Sequence, residues 1–200
     1  MLGSAHETLV HRRRVAVLAR HLAELLPSGA TVLDVGSGDG RLAKSVEAVR
    51  PDLRMLGVDV LVRPDAKIPV RRFDGVQLPF ADGGFDVVMM IDVLHHATDQ
   101  DALLRESVRV AKRAIVIKDH TADGLFAHAT LRLMDWVGNA RHGVALPYAY
   151  WTAEQWKRSF AALELRVVDM RDDLGLYPWP ASAVFERKLH FMAVLEPARR

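Results

Sequence analysis

The chain has 200 residues, 50% of them hydrophobic, and a formal net charge of +2, which fits one domain with a substantial core. The slight basic excess behind a pI near 9.1 is too small to imply a nucleic-acid partner, and the absence of cysteine excludes disulfides and thiolate chemistry. With neither a signal-peptide core nor a membrane-length apolar run in the sequence, a cytoplasmic location and no membrane partner are expected.

Residues 5–26 read as an amphipathic helix, with Val15, Leu18, Leu22 and Leu25 on one face and Pro27-Ser28-Gly29 closing it. Its basic run, His11-Arg12-Arg13-Arg14, reads as a solvated face, since no aromatic side chain interleaves it as a nucleic-acid stacking platform requires. Thr31 to Val35 then forms a short apolar strand of the kind covered on both faces of a parallel sheet. It runs into Gly36-Ser37-Gly38-Asp39-Gly40, a turn that lets the backbone bend sharply and approach a ligand before a helix starts at Arg41. A dinucleotide fingerprint requires a further glycine where Arg41 stands, and no Gly-Lys-Ser or Gly-Lys-Thr follows to make a phosphate loop. Asp34, Asp39 and Asp59, the last at the end of the second strand, suit hydroxyl and ammonium groups better than phosphate.

The helix from Arg41 is expected to end near Arg50, before Pro51-Asp52. After the strand carrying Asp59, Pro64 and Pro69 leave no room for a full helix, because an interior proline costs about 3 kcal/mol. A fourth strand is expected from Asp86 to Met90. Its C-terminal turn, Ile91-Asp92-Val93-Leu94-His95-His96, belongs in the crevice beside the glycine turn, where open α/β sheets bind ligands.

Asp34-x-Gly36-x-Gly38-x-Gly40, Asp59, and FDGVQLPFADGGFDVVMMIDVLHH at positions 73–96 together resemble the class I S-adenosylmethionine-dependent methyltransferases. The likeness is to the broad, type 11-like branch in which a Leu-Pro-Phe segment precedes a Phe-Asp-Val-Val strand and a Leu-His-His turn. It implies an α/β, doubly wound, Rossmann-like fold: a mostly parallel seven-stranded sheet with an antiparallel last strand and helices on both faces. It also implies S-adenosylmethionine as cofactor, with Gly36 and Gly38 under its methionine part, Gly40 completing the turn and Asp34 holding the ammonium. By the same resemblance Asp59 binds the ribose hydroxyls, Asp74 with the Gly75 backbone reads the adenine, and Asp92 joins the cofactor contacts. Each acid also has a plain structural reading: a turn carboxylate for Asp34, a strand-end cap for Asp59, half of an Asp-Gly turn for Asp74. An Asn-Pro-Pro-Tyr type motif is absent from the turn after the fourth strand, which argues against a DNA or RNA base as acceptor.

Residues 99–110 read as the next helix and Ala114 to Ile117 as the fifth strand, leaving Lys118-Asp119-His120 on the crevice side. A substrate-side insertion spans 119–163, with a helix from about Asp123 to Val137. Asp119, His120, Asp135, Asn139 and His142 are expected to form a polar cluster walled by Trp136, Tyr148, Tyr150 and Trp151. The alternative pairs Asp135 with Arg132 or Arg141 on the surface and leaves the aromatics to the core. Thr152 and Gln155 resemble a capping box. The segment 164–200 is expected to form a terminal hairpin, with strands at Glu164 to Met170 and Lys188 to Leu195, whose loop Tyr177-Pro178-Trp179-Pro180 returns over the acceptor pocket.

The expected organisation is one methyltransferase domain, 1–200, with an N-terminal helix (1–28) and a cofactor-binding half (30–118) ahead of those segments. The expected function is methyl transfer to a small-molecule acceptor by in-line attack on the sulfonium methyl, with His95, His120 or Asp135 as base. No metal ligand is assigned, and the acceptor and oligomeric state stay open. A non-catalytic binding module and a nicotinamide-dependent oxidoreductase are the competing readings, the second disfavoured by Arg41 and by the lack of a hydride-relay pair.

Overall fold

The computed structural model describes residues 2–139 and 147–198. Strands β1 (Thr31–Val35), β2 (Arg54–Asp59), β3 (Val70–Arg72), β4 (Phe85–Ile91) and β5 (Ala111–His120) pair in parallel. Strand β7 (His190–Pro197) lies antiparallel between β5 and β6 (Leu165–Arg171). The order β3-β2-β1-β4-β5-β7-β6 places a switch point between β1 and β4, so the α/β, doubly wound fold with an antiparallel last strand is as expected.

Strand alternation divides the core into two layers. Val32, Met55, Val87, Met89 and Val116 point to one face, where α1 (Leu2–Leu25) and α2 (Arg41–Val49) cover them with Leu18, Leu22, Ala43 and Val46. Leu33, Val35, Val88, Met90 and Ile115 point to the other, under α3 (Gln100–Val110) and α5 (Ala153–Ala162). Each buried Leu or Val contributes about 1.5–3 kcal/mol, so most of the sheet's stability comes from its central strands. The same alternation turns Asp34 toward the α1 layer, one residue before β1 ends. Local signals fix the helix ends: Asp99 accepts from the Ala102 N–H at the start of α3, and Thr152 and Gln155 form the expected capping box on α5.

Residues 60–69 contain no helix, as their prolines predict. Four elements depart from expectation. Strand β5 continues to His120, because β7 pairs with it residue by residue through Lys118↔Met192, Asp119↔Phe191 and His120↔His190. Helix α4 (Ala127–Asn139) starts later than Asp123, since Gly124 and Phe126 both take positive φ. A 3-10 turn (Leu94–His96) follows β4, and a four-residue α6 (Ser182–Phe185) precedes β7. Among the described residues, no helix is long and apolar enough to cross a membrane.

Candidate active site

A cleft of about 580 Å³ opens beyond the C-terminal ends of β1 and β4. Its first wall is the glycine turn. The Gly36 and Ser37 N–H groups donate to the Val58 carbonyl at 2.8 and 3.2 Å, fastening the turn to β2. Asp59 completes the attachment, accepting from the Gly38 N–H at 2.8 Å and from the Leu61 N–H at 2.9 Å.

The three glycines serve different ends. A Cβ on Gly38 would meet nothing within 4 Å, and at φ +58° this backbone lies open to the cleft. A Cβ on Gly36 would come 2.5 Å from Val93, and one on Gly40 2.6 Å from Ile68. Gly36 therefore serves close packing while it lines the cleft, and Gly40 starts α2 against Ile68. Gly57 also belongs to this wall although no motif marks it: a Cβ there would fall 2.4 Å from Ser37 Oγ, and a glycine inside a strand is the signal in the sequence. Asp34 is buried beneath the turn, and burial, reinforced by the charge of Asp59, pushes its carboxyl up to about 8.

The floor is an ion network. Asp92, at φ 57°, pairs with the fully buried Lys118 and with Arg14 at 3.1 Å. Burial opposes its ionisation, but Lys118 and Arg14 hold its carboxyl well below the usual range. Lys118 also meets His190 Nδ1 at 3.2 Å, tying β4, β5, β7 and α1 together. The reading of the basic run as solvated holds for the exposed Arg12 and Arg13 but not for Arg14. Arg14 lies one helical turn before Leu18 and so turns inward with the apolar face.

The second wall is built from histidines and α4. His95 Nδ1 lies 2.6 Å from Asp119 Oδ1, and its Nε2 lies 3.6 Å from Asp135 Oδ2. Asp119 also accepts from the backbone N–H groups of Leu94 and His120, while the Tyr150 hydroxyl donates to Asp135 at 2.5 Å. Burial works against a charged His95, yet the two carboxylates outweigh it and raise the imidazole to about 10. His95 therefore carries its proton at neutral pH and is no base in this state. Burial, with Lys118 and His95 nearby, drives His120 well down and leaves it neutral. Burial pushes Asp135 up, but His95 and Tyr150 more than offset it, so this carboxylate stays charged.

Of the residues expected at the site, Asp34, Gly36, Gly38, Asp92, His95, His120 and Asp135 share this cleft. Asp119 and Tyr150 stand behind them. Trp136 instead faces outward, Trp151 packs on Trp156, and Arg132 stacks over Tyr148 at 4.7 Å and not against Asp135. Tyr177 packs on His190 and Phe185 under Arg14, whereas Trp179 is exposed. The side chain of Asn139, and His142 with Arg141, lie outside the described residues. Asp74 and Gly75 are set apart from the cleft. Asp74 accepts from the Val76 and Gln77 N–H groups, both at 2.8 Å, and borders a separate depression with Phe73 and Leu78.

A glycine turn at the switch point, acids beneath it and no phosphate loop define a ligand-binding α/β protein of the doubly wound class. Within that class the chain belongs to a methyltransferase domain family, whose pattern matches residues 9–170. It is 35% identical over 136 residues to an uncharacterized methyltransferase of Mycobacterium sp. (strain JLS), covering 64% of this chain and 53% of that protein. It is 28% identical over 110 residues to the 27-O-demethylrifamycin SV methyltransferase of Amycolatopsis mediterranei, covering 48% of this chain and 40% of that one. The chain thus spans about half the length of these curated relatives. A SAM-dependent methyltransferase from Aquifex aeolicus has the same fold, with a TM-score of 0.64, 18% identity and 98% of each chain covered.

Proposed function

We propose that this chain binds S-adenosylmethionine in the cleft and transfers its methyl group to a small-molecule acceptor held against α4. The observation that carries this reading is that one cleft joins the open backbone of Gly38 and buried Asp34 to the His95–Asp135 pair. The residues fit the cofactor: Gly38 leaves room at its wall, and Ser37 Oγ is buried with no hydrogen-bond partner among the described residues. A small-molecule acceptor is in keeping with the Amycolatopsis relative, whose name specifies one. The absent base-recognition motif speaks against nucleic acid.

When bound, S-adenosylmethionine supplies a sulfonium methyl whose leaving group is already in place. The protein's part is then chiefly to orient, which is worth about 7–11 kcal/mol for well-aligned reactants. Asp34, neutral in the free protein, would release its proton to solvent on holding the ammonium group of the cofactor. Asp59 keeps the turn in shape through the Gly38 N–H, and the Asp92–Lys118–Arg14 network keeps the floor rigid. Asp135 accepts the proton side of an acceptor hydroxyl, while charged His95, fixed by Asp119, holds Asp135 in position.

Calorimetric titration of the purified protein with S-adenosylmethionine, its demethylated product and a nicotinamide dinucleotide tests this. Micromolar binding of the first two, abolished by Gly38→Arg, is expected. No binding by the folded protein would favour a non-catalytic module, and preference for the dinucleotide would favour an oxidoreductase.

A further inference from the structure

His95, His96 and Asp135 each offer one ligand atom, all within 4.8 Å of one another, at the α4 side of the cleft. His95 Nε2 and Asp135 Oδ2 are 3.6 Å apart. Two ligands on a tetrahedral ion with bonds of about 2.0–2.1 Å stand roughly 3.4 Å apart, so this pair already has the required span. Behind His95, Asp119 takes its Nδ1 at 2.6 Å, and Asp119 is itself anchored by two backbone N–H groups. This is the carboxylate–histidine arrangement that orients metal ligands and fixes which ring nitrogen faces the ion. His96 packs against His95 with ring centroids 4.1 Å apart, and its buried Nδ1 has no hydrogen-bond partner among the described residues.

We propose that His95, His96 and Asp135 bind one divalent transition-metal ion of the zinc or cobalt type, with a fourth coordination position open to the cleft. Two imidazoles and one carboxylate select such an ion over magnesium or calcium, which take oxygen ligands. The ion would sit between His95 Nε2 and Asp135 Oδ2, while His95 Nδ1 stays turned to Asp119. All three ligands line the same cleft as Gly38, so the open position faces the space assigned to the acceptor. A role in polarising an acceptor hydroxyl there rests on the methyl-transfer reading; ion binding itself does not.

The test uses tag-free protein stripped with a chelator and titrated with Co2+, followed by its visible ligand-field bands and by competition with Zn2+. One ion per chain with tetrahedral bands is expected. His96→Ala and Asp135→Asn should each abolish the bands, and Asp119→Asn, which reaches the ion only through His95, should weaken binding about 10–100-fold. Circular dichroism confirms that each variant is folded. Substoichiometric uptake by the unmutated protein, or uptake unchanged in folded His96→Ala and Asp135→Asn, would overturn the proposal. S-adenosylmethionine binding in metal-free buffer separates the two readings: binding there without ion uptake removes the metal site alone.

Discussion

The two walls of the cleft are built by different means. The glycine wall comes from a contiguous stretch, β1 through β2, and backbone hydrogen bonds to Val58 and the Asp59 carboxylate set its shape. The histidine wall gathers His95, His96, Asp119, His120, Asp135 and Tyr150 from four separate segments, and contacts made by their side chains, including those of Asp119 to two backbone N–H groups, hold it together. A backbone-built wall depends on a few positions where no side chain fits. A wall of buried polar groups depends on every partner, because each unpaired group costs about 1–3 kcal/mol.

Substitutions that strike one wall and spare the other test this division. The largest effect is expected for Asp135→Asn: turnover should fall by about two to four powers of ten, the worth of a positioned proton acceptor. Calorimetry should meanwhile find S-adenosylmethionine affinity within a few-fold of the original; loss of that affinity would mean that the walls are not separable. Beneath both walls, Lys118→Met leaves buried Asp92 with Arg14 at 3.1 Å and His120 at 3.5 Å but without its buried ammonium partner. Breaking such a pair costs about 3–5 kcal/mol, which denaturant unfolding will show as a lowered midpoint with unchanged slope.

Asp34 belongs to the glycine wall and titrates. Its folded value near 8 lies above the ordinary 3.8, so the folded state retains a proton that the unfolded state loses. Stability should therefore fall as pH rises from about 4 to about 8, by up to roughly 1.4 kcal/mol per unit, and level off above. Asp34→Asn should flatten that slope and unfold later than the original protein at the alkaline end. A variant with the same slope would assign the titration elsewhere. The smallest effect is expected for Asp74→Ala. Its exposed carboxylate serves a turn outside the cleft, so the unfolding midpoint should drop only slightly, with cofactor affinity unchanged. A tenfold loss of affinity would instead return Asp74 to the adenine.

The glycine wall was legible because its information is local. Three alternate glycines, an apolar strand before them and an acid at the end of the next strand declare a turn through backbone sterics alone. The same holds for the capping box at Thr152 and for the proline-bounded loop between β2 and β3. Arg14 was misread because a basic run gives no sign of which member turns inward. The fifth strand was read too short because Lys118-Asp119-His120 looks like a loop until β7 is laid beside it.

The sequence by itself determined the strand and helix order, the glycine turn and the set of polar residues available to a site, since periodicity, proline, glycine and capping act over a few residues. Only the tertiary structure decided that His95 sits between two carboxylates and keeps its proton, that Asp92 is held by Lys118 and Arg14, and that Asp74 stands apart. Charge state and pairing depend on burial and on neighbours distant in sequence, and those exist only once the sheet is assembled.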